Sequence, residues 1–444
     1  MAGSVHDSLI YSRLFPAGDI GKLFTDTAEV RAMMLVEGAL AKAQGAAGTI
    51  PEVSAAFIHR AALELQIDPS GLAEATGRNG VPVPGFVAAF RKEMQGPEHG
   101  QYLHWGATSQ DITDTALMLR LRQALSLMDG GLSTLLSDLA TLAETHADLP
   151  MAGRTYGQHA TPVSFGSVVA HWGQPLIALR EELAAMRDTG LPVSLSGAAG
   201  TGAELGDDPA ALRAALAKAL GLSDPGCSWH ADRGPVLRIT GWMARLCAAL
   251  AKMGTDLILM AQSGIEEVRL GASGASSTMP QKQNPVGPSA LVALSTQVTA
   301  LSGAMLAAGH PAQERDGAAW FTEWLCLPQI VLSTAAALET ARTLAPGLTP
   351  VPEAMRAALA QGGGLIHAEA LSFRLARHMP RPEAQAAVKQ ACLTVRDTGR
   401  PLAQVAAETW PDIETTDVFD LARSLGAAPA EARAFARRAR GGGA

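Results

Sequence analysis

Ser276 and Ser277 stand just ahead of Lys282 and Asn284, so two hydroxyls, an ammonium and an amide share one short stretch. Such a set can grip an anion, and a hydroxyl beside a cation can exchange a proton if its pKa is lowered. The stretch from Leu270 to Ala290 is rich in Gly, Ser and Pro, and Met279-Pro280 and Asn284-Pro285 each bias the preceding residue away from helix. It reads as a loop between two long helical segments, of the kind that closes over a ligand. The same composition also suits a plain flexible linker.

Two further stretches carry polar groups ahead of helical patterns. In His104-Trp105-Gly106-Ala107-Thr108-Ser109-Gln110-Asp111, Thr108 and Asp111 have capping-box spacing, and Leu117, Leu121, Leu125, Met128, Leu132, Leu136 and Leu139 follow at helical period. Thr108 and Ser109 therefore sit at a helix N-terminus, where free N–H groups and the helix dipole favour a carboxylate; a cap alone gives the same spacing. Gly153 to Pro162 reads as a polar turn before a helix from about Pro162 to Arg187, kinked at Pro175. His159 there is a candidate ligand, although a histidine before a helix also serves structure. Ser194 to Gly206 looks like a phosphate cradle but lacks a strand-turn-helix context.

The elements that must position these groups are helical. Ala28, Val30, Met33, Met34, Val36, Ala39, Leu40 and Ala43 trace an amphipathic helix over Thr25 to Gly45, with turns expected at Asp68 to Gly71 and Gly80 to Gly85. Further helical patterns run from about Gly234 to Ser263, Pro288 to Ala308 and Trp320 to Leu344, while strand-like alternation is nearly absent. The expectation is an all-α protein with long helices of about 30–50 Å. Residues 1–110 read as a small helical domain, 111–361 as a long-helix bundle carrying the 270–290 loop, and 362–444 as a third helical domain. Gly130-Gly131 should weaken the helix that contains it. Helices so long and so rich in Ala and Leu leave faces for other subunits, which implies a homo-oligomer.

Composition excludes several classes. The chain has 444 residues, 48% hydrophobic and 17% charged, with a net charge of -7. That allows a large core split over more than one domain. No basic tract offers a nucleic-acid footprint. The four cysteines have no C-x-x-C spacing, so neither a disulfide framework nor a zinc site is suggested, and they read as small buried hydrophobes. Charged residues break the apolar runs and no signal-like start is seen, so a cytoplasmic protein with no membrane association is expected.

The order Gly274, Ser276-Ser277, Met279-Pro280, Lys282, Asn284-Pro285 resembles the signature loop of the fumarase/aspartase superfamily, roughly Gly-Ser-Ser-x-Met-Pro-x-Lys-x-Asn-Pro. With the two other stretches, the resemblance covers nearly the whole chain. It implies a homotetramer with a central bundle of long helices flanked by two smaller helical domains. Its active sites would combine the Thr108-Ser109, His159 and Ser276 segments from different subunits. A small polycarboxylate is the implied substrate, and neither a metal nor an organic cofactor is implied. Ser276 would exchange the proton, Lys282 and Asn284 would hold the carboxylate that becomes the aci-anion, and His159 would touch the substrate or support a group that does. His104, Thr108, Ser109, Gln158, Ser277 and Met279 would line the substrate. Arg315 would clamp a carboxylate, unless it forms a surface ion pair with Asp316 or Glu314.

Three runs look most like the cycloisomerase branch of that superfamily: His-x-Gly-Ala-Thr-Ser-Gln-Asp, Gln-His-Ala-Thr-Pro, and Trp320-x-x-Glu323-Trp324-x-x-Leu327-Pro328. In that branch a carboxylate of the substrate adds across its own conjugated double bond to close a lactone during aromatic-compound degradation. Tyr156 stands where adenylosuccinate and argininosuccinate lyases place a histidine to handle the leaving group's proton, and a cycloisomerase needs no such group. The alternative is a lyase of the same fold releasing fumarate from a substituted succinate. Ala275 and Gln281 depart from the common loop pattern, in which glycine or serine and histidine are frequent.

Overall fold

Apolar side chains at helical spacing build most of the chain in the computed structural model, which describes residues 3–271, 274–275, 279 and 282–441. Helix α1 (Asp26–Ala46) starts at Thr25, whose extended backbone lets its hydroxyl accept from the Ala28 N–H at 3.2 Å. It is followed by α2 (Glu52–Glu64), α3 (Val83–Met94) and α4 (Ser109–Thr145). Strands β1 (Pro150–Thr155) and β2 (Gln158–Ser164) precede α5 (Phe165–Thr189) and α6 (Gly234–Met260). Then come β3 (Val268–Arg269), β4 (Gly274–Ala275), β5 (Gln283–Asn284), α7 (Val286–Ala308), α8 (Gly317–Leu344) and β6 (Thr349–Pro350). Shorter helices fill the remainder, including α9 (Arg381–Thr398). This is the all-α class the periodicity predicts, and the long helices start and end within a few residues of their expected limits.

Three local expectations are corrected. Residues 150–164 form an antiparallel hairpin, not a polar turn leading into a helix, and Tyr156 and Gly157 at its tip both have left-handed φ, 53° and 73°. Two consecutive residues of this kind make the mirror-image turn that matches strand twist. The stretch 270–290 is not loop throughout: β4 pairs with β5, and α7 begins at Val286. Pro288 fits there because the first helical turn has no use for its missing N–H, and Val83-Pro84-Gly85 opens α3 in the same way. Finally, Cys227 is exposed, whereas Cys247 and Cys326 are buried.

The chain divides into two compact units, each assembled from separated segments. The first comprises Met1–Gly131, Leu179–Ala248 and Ala293–Thr340; the second comprises Leu132–Ala178, Ala249–Val292 and Ala341–Ala444. In the first, Met33, Met34 and Leu40 of α1, Ile58 of α2, Phe86 and Phe90 of α3, and Ile112 of α4 form one apolar cluster. Beside it lies a buried charge network. Arg233, just before α6, donates to both oxygens of Asp114 on α4 at 2.8 and 3.1 Å and of Glu323 on α8 at 2.7 and 2.8 Å. The Trp229 ring stacks on the guanidinium, 4.7 Å from its centroid. Burial alone would weaken the Arg233 charge; the two carboxylates more than reverse that and hold it fully protonated.

In the second unit, Gly166 lets α5 lie against α4, since a Cβ there would come within 2.4 Å of the Ala143 carbonyl oxygen. The Trp172 indole N–H donates to Asp256 at 2.7 Å, joining α5 to α6. A separate cluster of Leu371, Leu375, Val388 and Leu402 packs around α9. Helices α7 and Gly317–Gly347 are long and apolar enough to cross a membrane by length and composition; the second is 67% buried, the first only 33%.

Removing one member of a buried ion-pair network leaves the others uncompensated, at about 3–5 kcal/mol. Arg233→Ala is therefore expected to lower stability by about that amount, read as an earlier urea midpoint by circular dichroism, and more than Arg245→Ala, whose partner Glu182 is exposed.

Candidate active site

In the first unit the carboxylate of Asp111, wholly buried in the opening turn of α4, is the focus of the polar groups. It accepts from the backbone N–H of Thr108 at 3.0 Å, which is the reciprocal half of the capping box expected from the sequence. It also accepts from the N–H groups of Ser196 and Gly197 at 2.8 and 3.0 Å and lies 2.8 Å from His230 Nε2. The Ser194 hydroxyl donates to it at 3.3 Å. The segment that resembled a phosphate cradle is thus fastened to the start of α4. Gly106 supports the same corner: its φ is +68°, and a Cβ would lie 2.3 Å from the Glu204 carbonyl oxygen.

Thr108 and Ser109 are half-buried at this N-terminus, as expected. Arg315 is brought to them through the adjoining residue, donating from Nε to Gln110 Oε1 at 2.9 Å and from Nη2 to the Ala198 carbonyl at 3.0 Å. It forms no pair with Asp316, whose carboxylate instead accepts from the Ala312 and Ala318 N–H groups at 3.0 and 2.9 Å, the latter in the first turn of α8. Gln110 is in turn held by Asp114 and the His230 carbonyl. His104 has a left-handed φ of 64° and places Nδ1 2.6 Å from Glu37 Oε1 on α1. Burial pulls its pKa down, but Glu37, and to a smaller extent Asp111, more than offset this against Arg91, so His104 is held above the ordinary histidine value.

The other candidates belong to the second unit. Gln158 and His159 are exposed at the start of β2, and the hairpin register sets His159 opposite Arg154. Arg154 donates to both oxygens of the buried Glu267 at 2.8 and 2.9 Å, which ties the hairpin to the chain entering the signature loop. Partial burial and the Arg154 charge lower the His159 pKa, outweighing the pull of Glu267, so its neutral form is favoured at neutral pH. In the loop, Asn284 is half-buried opposite Gly274, Lys282 is exposed with its N–H on the Met279 carbonyl at 3.0 Å, and Met279 is exposed. Ser276 and Ser277 lie outside the described residues.

Asp114, His230, Arg233 and Glu37, which support these candidates, are not marked by any local motif, and Asp111 is marked only as a capping residue. The available signal was a set of polar side chains, Asp111, Asp114 and Thr115, on the otherwise apolar buried face of α4, where each must have a partner.

The long-helix fold is that of an all-α enzyme of the fumarase/aspartase type. The chain belongs to the family described as lyase, whose model matches residues 16–300. It is 36% identical to the 3-carboxy-cis,cis-muconate cycloisomerase of Pseudomonas aeruginosa over 97% of this chain and 95% of that protein. It is also 36% identical to the nitrosuccinate lyase of Streptomyces davaonensis over 96% of this chain and 94% of that protein. Among solved structures, it is similar to the 3-carboxy-cis,cis-muconate lactonizing enzyme from Pseudomonas putida, with a TM-score of 0.90 and 32% identity over 97% of this chain and all of that one.

Asp111→Ala would strand the Ser196 and Gly197 N–H groups without an acceptor and leave His230 Nε2 with the Ser194 hydroxyl alone. The expected loss is about 3 kcal/mol or more. Chemical unfolding should detect it, and hydrogen exchange should show the 194–197 backbone opening well before α4.

Proposed function

We propose that the chain catalyses the cycloisomerisation of 3-carboxy-cis,cis-muconate to a carboxymuconolactone. What carries this reading is the likeness to cycloisomerases along nearly the full chain; Tyr156, at the exposed tip of the hairpin, stands where adenylosuccinate and argininosuccinate lyases place a histidine. One substrate carboxylate oxygen attacks the conjugated double bond, a C–O bond forms, and the π electrons move toward a second carboxylate, which becomes the aci-anion. Lys282 and Asn284 stabilise that charge as fixed donors. Ser276 delivers its proton to the adjacent carbon and recovers one from water, so one proton is taken up per turnover. The N-terminus at Thr108-Ser109, with Arg315 and His104, holds the remaining carboxylate, while Gln158, His159, Ser277 and Met279 shape the pocket.

The active assembly in this reading is a cytoplasmic homotetramer whose sites combine segments of different protomers. The exposed face of α7, carrying Ala293, Ala300, Gly303, Leu306 and Ala307 on a helix only one-third buried, supports such an assembly. Light scattering is expected to give about four times the chain mass of 46.0 kDa. Ala300→Arg is expected to reduce it, and an unchanged monomer mass in the parent would reject the assembly.

The equal identity to a nitrosuccinate lyase supports a second reading, elimination from a substituted succinate. Loss of diene ultraviolet absorbance on adding the protein to 3-carboxy-cis,cis-muconate separates the two. The expected result is rapid loss with the parent protein and about 10²–10⁴-fold slower loss with Ser276→Ala. Fumarate release from a substituted succinate, without loss of the diene, would establish the lyase instead.

A further inference from the structure

The turn that carries His104 is held more firmly than a surface loop requires. Helix α1 sends two buried polar side chains to it from positions two turns apart on one face: Glu37 to His104 Nδ1 at 2.6 Å, and Gln44, whose amide donates to the Trp105 carbonyl at 2.7 Å. From α3, Arg91 donates to the Gly100 and Leu103 carbonyls at 3.0 and 2.9 Å. These contacts maintain a left-handed conformation at His104, which costs a non-glycine residue about 1–2 kcal/mol. Strain of this size persists where the surroundings over-determine it, and it gathers at working sites.

Glu37 is itself unusual. Its side chain is 1% exposed, and Oε2 has no hydrogen-bond partner among the described residues. A buried carboxylate with one partner is costly and would be replaced by an apolar residue if only packing were needed.

We infer that Glu37 is the positioning residue of a Glu37–His104 dyad, holding the ring by Nδ1 so that Nε2 is presented as a charged N–H donor to a substrate carboxylate. A carboxylate only accepts, so the proton of the short contact resides on Nδ1, and the second ring nitrogen is left for the ligand. The groups that set the charge of His104 are Glu37 on α1 and Asp111 on α4, which favour it, and Arg91 on α3, which opposes it. The imidazolium is therefore kept to higher pH than in an ordinary histidine and is lost as pH rises through the raised value. The inference rests on the reading that His104 meets a polyanionic substrate; the placement of Nδ1 on Glu37 does not.

The test uses the full-length protein with histidines labelled at Cε1, the His104 resonance being assigned by its loss in His104→Gln. Glu37→Gln keeps an acceptor for Nδ1 but removes the counter-charge. His104 is expected to titrate at least one pH unit lower in that variant, and an unchanged midpoint overturns the dyad whether or not the protein turns over any diene. In the diene assay, Glu37→Gln is expected to raise KM about tenfold at pH 8 and much less at pH 6, with kcat within about twofold. Glu37→Asp should recover part of the loss. A uniform fall in kcat at every pH would show that Glu37 only maintains structure and would overturn the proposal. Parent protein inactive on the diene, with the titration shift intact, would reject the cycloisomerase reading and leave the dyad standing.

Discussion

The buried carboxylate of Asp111 is the constraint on which the first unit's polar architecture depends. An ionised carboxylate out of water is tolerated only when its lone pairs are met by donors. Here the donors come from the start of α4, the Ser194–Gly197 segment and His230, regions far apart in sequence. One side chain therefore fixes where the N-terminus of α4 begins and what lies beside it. The free N–H groups of that N-terminus are useful to an anion only if they cannot rotate away, and the Asp111 contacts supply that rigidity.

The same device recurs with opposite signs. Arg233 joins α4 to α8 through two buried carboxylates, and Arg154 fastens the hairpin to the entry of the signature loop through Glu267. Gln110 extends the first network outward, since its amide is anchored on Asp114 and its oxygen orients Arg315. Buried pairs add little net stability against well-packed apolar residues. Their value here is geometric: each fixes the position of a chain segment before any ligand binds.

How much of this was legible in the sequence depended on the range of the interactions. The long helices could be read because an apolar stripe at period 3.6 is a local property that survives any tertiary arrangement. The start of α4 could be read for the same reason, although the group that mattered most there was the Asp111 carboxylate. The hairpin at 150–164 could not. Pro150-Met151-Ala152-Gly153 and Ala160-Thr161-Pro162 have weak strand propensity, and their pairing is decided by context and by the left-handed pair Tyr156-Gly157. Asp114 and Arg233 lie 119 positions apart, and no local pattern links them. What could have been noticed is that Asp111 and Asp114 fall on the buried stripe of α4, where an unpaired carboxylate is untenable.

A net charge of -7 would repel a polycarboxylate if it acted as a whole, yet at physiological salt the field of remote charges fades within about 8 Å. In the proposed reading, affinity for a trianion must therefore come from groups close enough to touch it, and those offered by the first unit are donors or cations: the α4 N-terminus, Arg315 and His104. A buried carboxylate behind a histidine has two opposing effects in such a place. It subtracts from the positive potential the substrate feels, and it raises the fraction of imidazole that carries a proton. The contact with Glu37 raises the His104 pKa, and an unprotonated ring contributes no charge at all, whereas a screened imidazolium can donate a charge-assisted hydrogen bond. Glu37 meets the ring at Nδ1, so in the proposed arrangement the imidazole stands between its negative charge and the substrate carboxylate.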